Sequence, residues 1–519
     1  MSYLCDDRLR GVSFQLSSDS QAHPASGITR AVILGAGPAG LSAAYELEKS
    51  GVHSLIIEKD QFCGGLSRTE EYKGYLFDLG GHRFYTKVPM IEQIWREVLG
   101  EDLIERPRLS RIFYRSKFFS YPLDFRNALS SLGHLESVRC LFSFLFSRFF
   151  PEKPEDHFEA WVSNRFGKRL FNVFFKTYTE KVWGVSCREL RSDWAAQRIR
   201  GLSLGILLRN ALRTVQSQRD QPQAKTLISR FLYPRLGPGM MWSRMAELVQ
   251  KKGSEVLFNT SVREILWEPG RITGIRTADG ILRGTHYISS MAIRDLLGCL
   301  NPAPPEFLQR AAKCFHYRDF LTVVLIVRGK NLFPDNWLYI HDPGFKVGRI
   351  QNFNNWSPDM VPHPETTSLG LEYFCFENDS LWEMSDEQLL DLAGEELSGL
   401  GLVQRLAILD GVVRRVPKAY PVYDTQYKEG LAAVQEFLKG ISNLQLIGRN
   451  GMHHYNNQDH SMVTGILAAR NILGAKYNLW RVNSDPKYLE EGDEGLDALV
   501  DLAETQPLVP LTIEAREIA

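Results

Sequence analysis

The run Gly35-Ala36-Gly37-Pro38-Ala39-Gly40 sets three glycines where backbone must come close to something flat and charged. In a G-x-G-x-x-G run the first glycine permits a tight turn and the second lets the backbone approach a pyrophosphate. The third lets a helix pack close to a strand. Pro38 and Ala39 then open a helix whose first N–H groups and positive dipole end favour phosphate. Glu58, with Lys59 beside it, follows about 20 residues on, where an acid binds ribose hydroxyls. The glycine run alone is a weak signal; with the acid at that distance it reads as a dinucleotide site.

A second set of glycines extends the pattern. Gly64-Gly65-Leu66-Ser67-Arg68-Thr69 is followed by Asp78-Leu79-Gly80-Gly81-His82. Repeated close approach of backbone to a long cofactor requires positions without side chains. The two segments resemble the second and third glycine motifs of the FAD proteins that include amine oxidases, protoporphyrinogen oxidases and galactopyranose mutases. Asn259-Thr260-Ser261-Val262 is similar to the segment whose backbone holds adenine in that superfamily. The resemblance implies FAD as cofactor, with His82 beside the flavin ring.

Further segments resemble the UDP-galactopyranose mutase branch, with eukaryotic-type motifs. They are Lys181-Val182-Trp183-Gly184-Val185 followed by Ala196-Gln197-Arg198-Ile199, and Trp337-Leu338-Tyr339 followed by Arg349 and Phe353–Pro358. Tyr420-Pro421, and Gly448-Arg449-Asn450-Gly451 with Tyr455 and Asn457-Gln458-Asp459-His460-Ser461, complete the set. The resemblance implies that Gly448, Arg449, Asn457, Gln458 and Ser461 belong to the flavin site. It implies that Arg198 and Arg349 grip a diphosphate, work suited to a permanently charged, forked guanidinium. Tyr114, Trp183, Tyr339, Tyr420 and Tyr455 would contact the rest of a nucleoside-diphosphate sugar. Each role has a plainer rival: a solvated helix face for Arg198, a structural salt bridge for Arg349, sheet packing for Tyr339, and a backbone bond for His82. Substitution of either arginine is expected to weaken nucleotide binding and leave stability almost unchanged. Thr179 stands where the compared enzymes have asparagine, and Phe118-Phe119 where they have a glutamine-containing stretch, so neither the base nor the sugar follows.

The activity so implied is pyranose–furanose interconversion through a covalent adduct at N5 of reduced FAD, with an external electron donor such as NAD(P)H. The alternative is an FAD oxidoreductase that desaturates or dehydrogenates an amine, porphyrinogen or polyisoprenoid. The glycine motifs serve both equally.

These residues must be held by elements scattered along 519 residues, too long for one ordinary core. The expected class is α/β: a Rossmann-type FAD domain from non-contiguous segments, a helical lobe and a mixed-sheet substrate domain. The reading places a disordered leader at 1–28 and FAD-domain pieces at 29–87, 231–300 and 441–478. A mainly helical lobe occupies 88–230, a substrate sheet 301–440, and a tail 479–519. Apolar runs predict strands at Ala31–Leu34, Ser54–Ile57, Glu255–Phe258, Ile272–Arg276, Leu321–Val327, Leu369–Phe376 and Leu444–Ile447. Helices are expected over Pro38–Lys49, Met90–Leu99, Leu202–Val215 and from about Ser461 to Leu473, with a surface loop at 216–225. Val138–Phe150 is too short to span a bilayer and reads as a buried helix, with a membrane-touching patch as its alternative.

Composition narrows the partners. The 61 basic residues balance the 61 acidic ones, so no net field draws the chain to nucleic acid. Seven dispersed cysteines without a C-x-x-C pair read as reduced thiols, and the N-terminus lacks a signal-like apolar region; both point to the cytoplasm. His453-His454 has no companions at metal spacing, so no metal is expected.

Overall fold

The computed structural model describes residues 30–121, 131–192, 230–424 and 426–483. Arg198 and its neighbours 196–199, the expected leader, the helix at 202–215, the loop at 216–225 and most of the expected tail lie outside these residues.

Five parallel strands form the nucleotide-binding sheet, in the order Leu444–Leu446, His286–Ser289, Ala31–Leu34, Ser54–Ile57, Glu255–Leu257. The central strands are buried along their whole length, as continuous apolar runs in a covered parallel sheet must be. Helix Pro38–Lys49 packs against helices Gln458–Ile472 and Gly239–Lys252. Gly465 makes the first contact possible: a Cβ there would come within 2.1 Å of the Ala39 carbonyl oxygen. The last helix begins at Gln458, ahead of the expected Ser461, because Asn457 takes the N-cap position.

A second sheet has seven strands, in the order Ile408–Pro421, Tyr317–Arg328, Thr366–Cys375, Arg349–Asn352, Trp337–Ile340, Ser110–Tyr114, Lys117–Ser120. All neighbours are antiparallel except Trp337–Ile340 beside Ser110–Tyr114. Side chains alternate between two cores. Phe320 and Val324 face one with Phe374 and Tyr420, while Leu321, Val323 and Leu325 face the other with Leu371 and Tyr373.

Two readings of the sequence differ in part from the structure. The segment expected to be mainly helical contributes strands Leu103–Pro107, Ser110–Tyr114 and Lys117–Ser120, the last two forming a hairpin on the second sheet. Its turn is Arg115-Ser116, both with positive φ (49° and 57°). Such turns are normally signalled by Asn-Gly or Asp-Gly, and here no such signal exists. The stretch expected to be a buried helix does form a helix, His134–Phe149, but most of its Phe and Leu side chains point outward; Phe142, Phe146 and Phe149 are 67%, 66% and 75% exposed, while Phe144 packs on the core. Cys140 and Ser147 are the side chains it buries.

The helical lobe continues through helix Phe158–Phe166, a wide π-type turn at Phe171–Lys176 and helix Thr177–Trp183. Two cations, half-buried Lys181 and buried Arg318, fasten its end to the seven-stranded sheet. Lys181 Nζ donates to the carbonyls of Ile340, Asp342 and Val347 at 2.9–3.2 Å, and Arg318 donates to those of Val182, Lys181 and Phe374. Burial pushes the Lys181 pKa down to about 8.

Candidate active site

Gly35 adopts φ +105°, a conformation open to glycine, and donates its N–H to the Ile57 carbonyl at 2.8 Å. Gly37 caps the helix that Pro38 opens. At Gly40 a Cβ would lie 2.0 Å from the Gly35 carbonyl oxygen, so the helix approaches the strand as closely as the spacing predicts. Gly65, thirty residues on in the sequence pattern of the second motif, comes against Gly37: a Cβ built on either would sit 3.5–3.9 Å from the other's Cα. Gly64 N–H donates to the Ala36 carbonyl at 2.8 Å, tying the two motifs through backbone.

Glu58 ends its strand beneath this cradle. Its carboxylate accepts from Ala36 N–H at 2.8 Å and Asp60 N–H at 3.1 Å. Burial raises its pKa above the usual carboxylate range, and the two backbone donors oppose that. Thr260 N–H donates to the Glu58 carbonyl and Asn259 N–H to that of Asp60, which draws the loop carrying half-buried Val262 to the same end. Leu66 packs into the core beneath the second sheet, while Lys59 is exposed.

At the other end the loop Gly80-Gly81-His82 meets the last helix. Gln458 donates to the His82 carbonyl at 3.3 Å, and Gln458 Oε1 is buried without a hydrogen-bond partner among the described residues. A Cβ at Gly81 would come 2.9 Å from Gln351 Nε2. Ser461 is buried in the first turns of that helix. Gly448 (φ +76°) places its backbone beside Ala39, where a Cβ would come 3.1 Å from the Ala39 methyl. A glycine cradle open to backbone approach, an acid at the end of the next strand and a buried unsatisfied amide at the helix start fit a dinucleotide cofactor.

His82 Nδ1 lies 3.1 Å from the Gly80 carbonyl, the backbone bond named as its plainer role. That nitrogen therefore carries the proton and Nε2 is left as an acceptor. Enclosure away from water, then the charges of Arg449 and Arg349, push the imidazole pKa down to about 3, so the ring is neutral. Those two arginines come from different elements, and His82 feels both.

Arg349 makes the salt bridge that was its alternative reading. Nε and Nη2 both donate to Glu372 Oε2, the former at 2.9 Å, and Nη2 also donates to the Tyr420 hydroxyl at 3.0 Å. Glu372 is fully buried, and its other oxygen accepts from Gln351 at 2.7 Å. Burial opposes the Arg349 charge, but Glu372 and the tyrosines outweigh it and hold the guanidinium protonated. Nη1 carries no hydrogen bond among the described residues.

Aromatic rings surround this pair. Tyr420 stacks on Tyr455 with centroids 5.6 Å apart and planes within 10°, and Trp183 contacts both rings at 6.1–6.2 Å. The Arg449 guanidinium lies 4.8 Å from the Tyr455 ring and donates to the carbonyls of Asn456 and Ala419. Tyr339 meets Tyr121 at 4.6 Å and Tyr178 at 5.4 Å, and Tyr178 stacks on His341 at 4.6 Å. Tyr114 instead packs near Phe174 at 6.4 Å.

The structure thus brings together His82, Arg349, Tyr420, Tyr455, Trp183 and Tyr339, and leaves Tyr114 in lobe packing. Sequence reasoning missed Glu372 and Tyr178 as members. Glu372 carried a signal, since a carboxylate inside an apolar strand must be paired when buried. Tyr178 stands next to Thr179, which the sequence had singled out, without being noticed.

Comparisons with known proteins agree with this architecture. The sequence matches the flavin-containing amine oxidoreductase family over residues 38–473. Curated relatives include a 1-hydroxycarotenoid 3,4-desaturase of Flavobacterium sp. (strain P99-3), 24% identical over 50% of this chain and 54% of that protein. Another is a chloroplastic prolycopene isomerase of Daucus carota, 26% identical over 59% of this chain and 53% of the other. The chain therefore spans about half the length of the curated relatives it matches. Among solved structures, a reduced UDP-galactopyranose mutase superposes with a TM-score of 0.76 at 23% identity, covering 88% of this chain and 98% of that one. A protoporphyrinogen oxidase assignment from Exiguobacterium sp. 255-15 gives 0.67 at 17%, covering 86% and 99%. At such identities the superpositions speak for the fold. Because the family match runs from Pro38, which opens the first helix, to Leu473, just past helix Gln458–Ile472, the chain belongs to the flavin-containing amine oxidoreductase family and is an FAD-dependent enzyme.

Proposed function

We propose that the chain is a nucleotide-sugar mutase, interconverting pyranose and furanose forms on reduced FAD. The observation that carries this reading is Arg349 held by Glu372 and Tyr420 among tyrosine rings, with His82 at hand. A fixed guanidinium ringed by phenols suits an anionic substrate, and a neutral amine or hydrocarbon has no use for it. Gly35, Gly37, Gly40, Gly64, Gly65, Gly80, Gly81 and Gly448 would admit the cofactor backbone-first, with Glu58 on the ribose. Reduced FAD, when bound, supplies the nucleophile for the anomeric carbon.

The chain's own residues do the rest. Arg349 would stabilise the departing diphosphate through its unoccupied Nη1 edge and keep it near for recapture. Tyr420 and Tyr455 would orient phosphate or sugar oxygens, and Trp183 would shield them from water. Neutral His82 would offer Nε2 as an acceptor without competing for phosphate. Arg198 is the second diphosphate contact of the proposal. The electron donor that reduces the flavin, such as NAD(P)H, acts before turnover and is not consumed by it.

A second reading, net oxidation of an apolar substrate, is favoured by the names of the sequence relatives, which include desaturases. The two part company in one experiment. Enzyme reduced anaerobically is given UDP-galactopyranose and other nucleoside-diphosphate sugars, and products are separated by chromatography. Isomer formed over many turnovers, only by reduced enzyme and with no stoichiometric loss of donor, supports the mutase. Stoichiometric bleaching of oxidised flavin by an apolar substrate, with no nucleoside-diphosphate binding, would sink it.

A further inference from the structure

Helix His134–Phe149 is amphipathic in the inverted sense. At 100° per residue, Leu135, Val138, Phe142, Leu145, Phe146 and Phe149 lie on one stripe, and that stripe is the exposed one, from 42% to 75% accessible. The opposite side, facing helices Phe158–Phe166 and Lys168–Leu170, buries Cys140 and Ser147. Gly167 lets the lobe come up against this small-residue side: a Cβ there would lie 2.6 Å from the Phe144 amide nitrogen. Soluble helices present the other arrangement, so an exposed apolar stripe of this size marks an interaction surface.

Charge identifies the occupant. On the same wheel Arg139 lies at one edge of the stripe and Arg148 at the other, both exposed. Lys168 and Arg169, on the short helix packed alongside, are 56% and 44% exposed in their side chains and are paired with Glu159 and Glu136. The acid within the helix, Glu136, is turned inward at 14% exposure and bound by Arg169. An apolar stripe flanked by cations, on a chain whose total charge balances, is the pattern of a helix lying in a membrane interface beside anionic headgroups. No helix among the described residues is long and apolar enough to cross a membrane.

We propose that this helix docks the enzyme on the surface of an anionic lipid bilayer, with the exposed Phe and Leu side chains in the acyl boundary and Arg139 and Arg148 at headgroup level. The lobe that carries it also carries Trp183, so docking sets the active site at a fixed height above the lipid. Co-sedimentation of the full FAD-loaded chain with phosphatidylcholine vesicles, and with vesicles containing phosphatidylglycerol, tests the proposal. Binding is expected to be at least several-fold stronger to the anionic vesicles and to weaken with salt. F142S/F146S should lower partition at least tenfold, and R139Q/R148Q should abolish most of the anionic preference. Flavin absorbance should be unchanged in both variants, which controls for folding. Absence of sedimentation with either vesicle would overturn the proposal. So would a homodimer in size-exclusion chromatography that F142S/F146S converts to monomer without any vesicle binding, because a second copy would then occupy the face.

Discussion

The nucleotide-binding sheet and the seven-stranded sheet build their halves of the site by different means. In the first, backbone does the work: Gly37 against Gly65, Gly40 against the Gly35 carbonyl, and Gly64 N–H on Ala36. In the second, side chains do it, and their meeting depends on register. Arg349 and Glu372 are direct cross-strand partners, and Tyr420 arrives from a strand two positions further across the sheet. A backbone site fails where atoms are added against backbone already in contact, whereas a side-chain site fails by uncompensated removal.

The largest effect should come from adding an atom to the first. Gly40→Ala puts a methyl 2.0 Å from a carbonyl oxygen that cannot move without breaking the turn at Gly35. Overpacking of backbone against backbone should cost more than ~4 kcal/mol, and the variant should yield little soluble yellow protein. Gly37→Ala is the contrast, since its Cβ would meet Gly65 Cα at an ordinary 3.9 Å. It should fold, with any loss appearing as weaker FAD retention, and Gly37→Val should lose FAD with its melting transition intact. Equal melting temperatures for Gly40→Ala and wild type would break the distinction between helix-packing and cofactor-facing glycines.

The second sheet should fail by removal. Arg349→Ala leaves the Glu372 carboxylate fully buried with only Gln351 to answer it. Stranding a buried charge costs about 3–5 kcal/mol, so the substitution should not be silent for stability as the sequence led one to expect. Arg349→Ala combined with Glu372→Gln should recover much of the melting temperature while nucleoside-diphosphate binding, read by calorimetry, stays low. If the single variant melts with wild type, the pair is not the structural centre of the sheet.

That same contrast explains what could be read in advance. The glycine cradle was legible because each contact is set by local spacing: Gly35, Gly37 and Gly40 lie within one turn, and Glu58 closes the next strand. Strands Ala31–Leu34 and Ser54–Ile57 and helix Pro38–Lys49 match the pattern residue for residue. Arg349 was visible as a cation near Tyr339, but its partner depends on pairing with residue 372, which no local pattern encodes. The hairpin around Arg115-Ser116 was missed because its turn lacks the usual residues. The outward face of His134–Phe149 stood only as the alternative to burial, because periodicity says that a helix has an apolar side, not which way that side points.

Between the two sheets, Asp78 offers a pH-dependent test. It ends the hairpin that leads into Gly80-Gly81, accepts from Thr69 Oγ1 at 2.9 Å and from the Tyr233 hydroxyl, and is buried. Burial pushes its carboxyl up to about 7. A folded pKa above the unfolded one, near 3.8, means that this carboxyl's stabilising contribution is whole below pH ~4. It is lost as pH rises through 7, by roughly 1.4 kcal/mol for each unit traversed between the two values. Asp78→Asn cannot ionise and keeps an acceptor for Tyr233. Its melting temperature should therefore gain on wild type as pH rises from 4 to 7 and hold that gain above. A gain that shrinks with pH would contradict the buried-acid account.

The smallest expected effect separates structural from substrate duties in the second sheet. Tyr420→Phe keeps the ring that stacks on Tyr455 within 10° and deletes the hydroxyl that accepts from Arg349 at 3.0 Å. Glu372 still holds Nε and Nη2, so the guanidinium is not stranded and stability should fall by only about 0.5–1.5 kcal/mol. The Nη2 hydrogen freed from Tyr420 can serve a ligand, but the phenol that would donate to phosphate is gone. If Tyr420 serves only the sheet, UDP affinity should hold within twofold while the melting temperature drops slightly. If it also serves the diphosphate, as proposed, the dissociation constant should rise about three- to tenfold with the same small drop in stability, and FAD content should not change. Calorimetry and thermal melting on one preparation give both numbers, and an affinity unchanged alongside a lowered melting temperature would remove Tyr420 from the substrate's contacts.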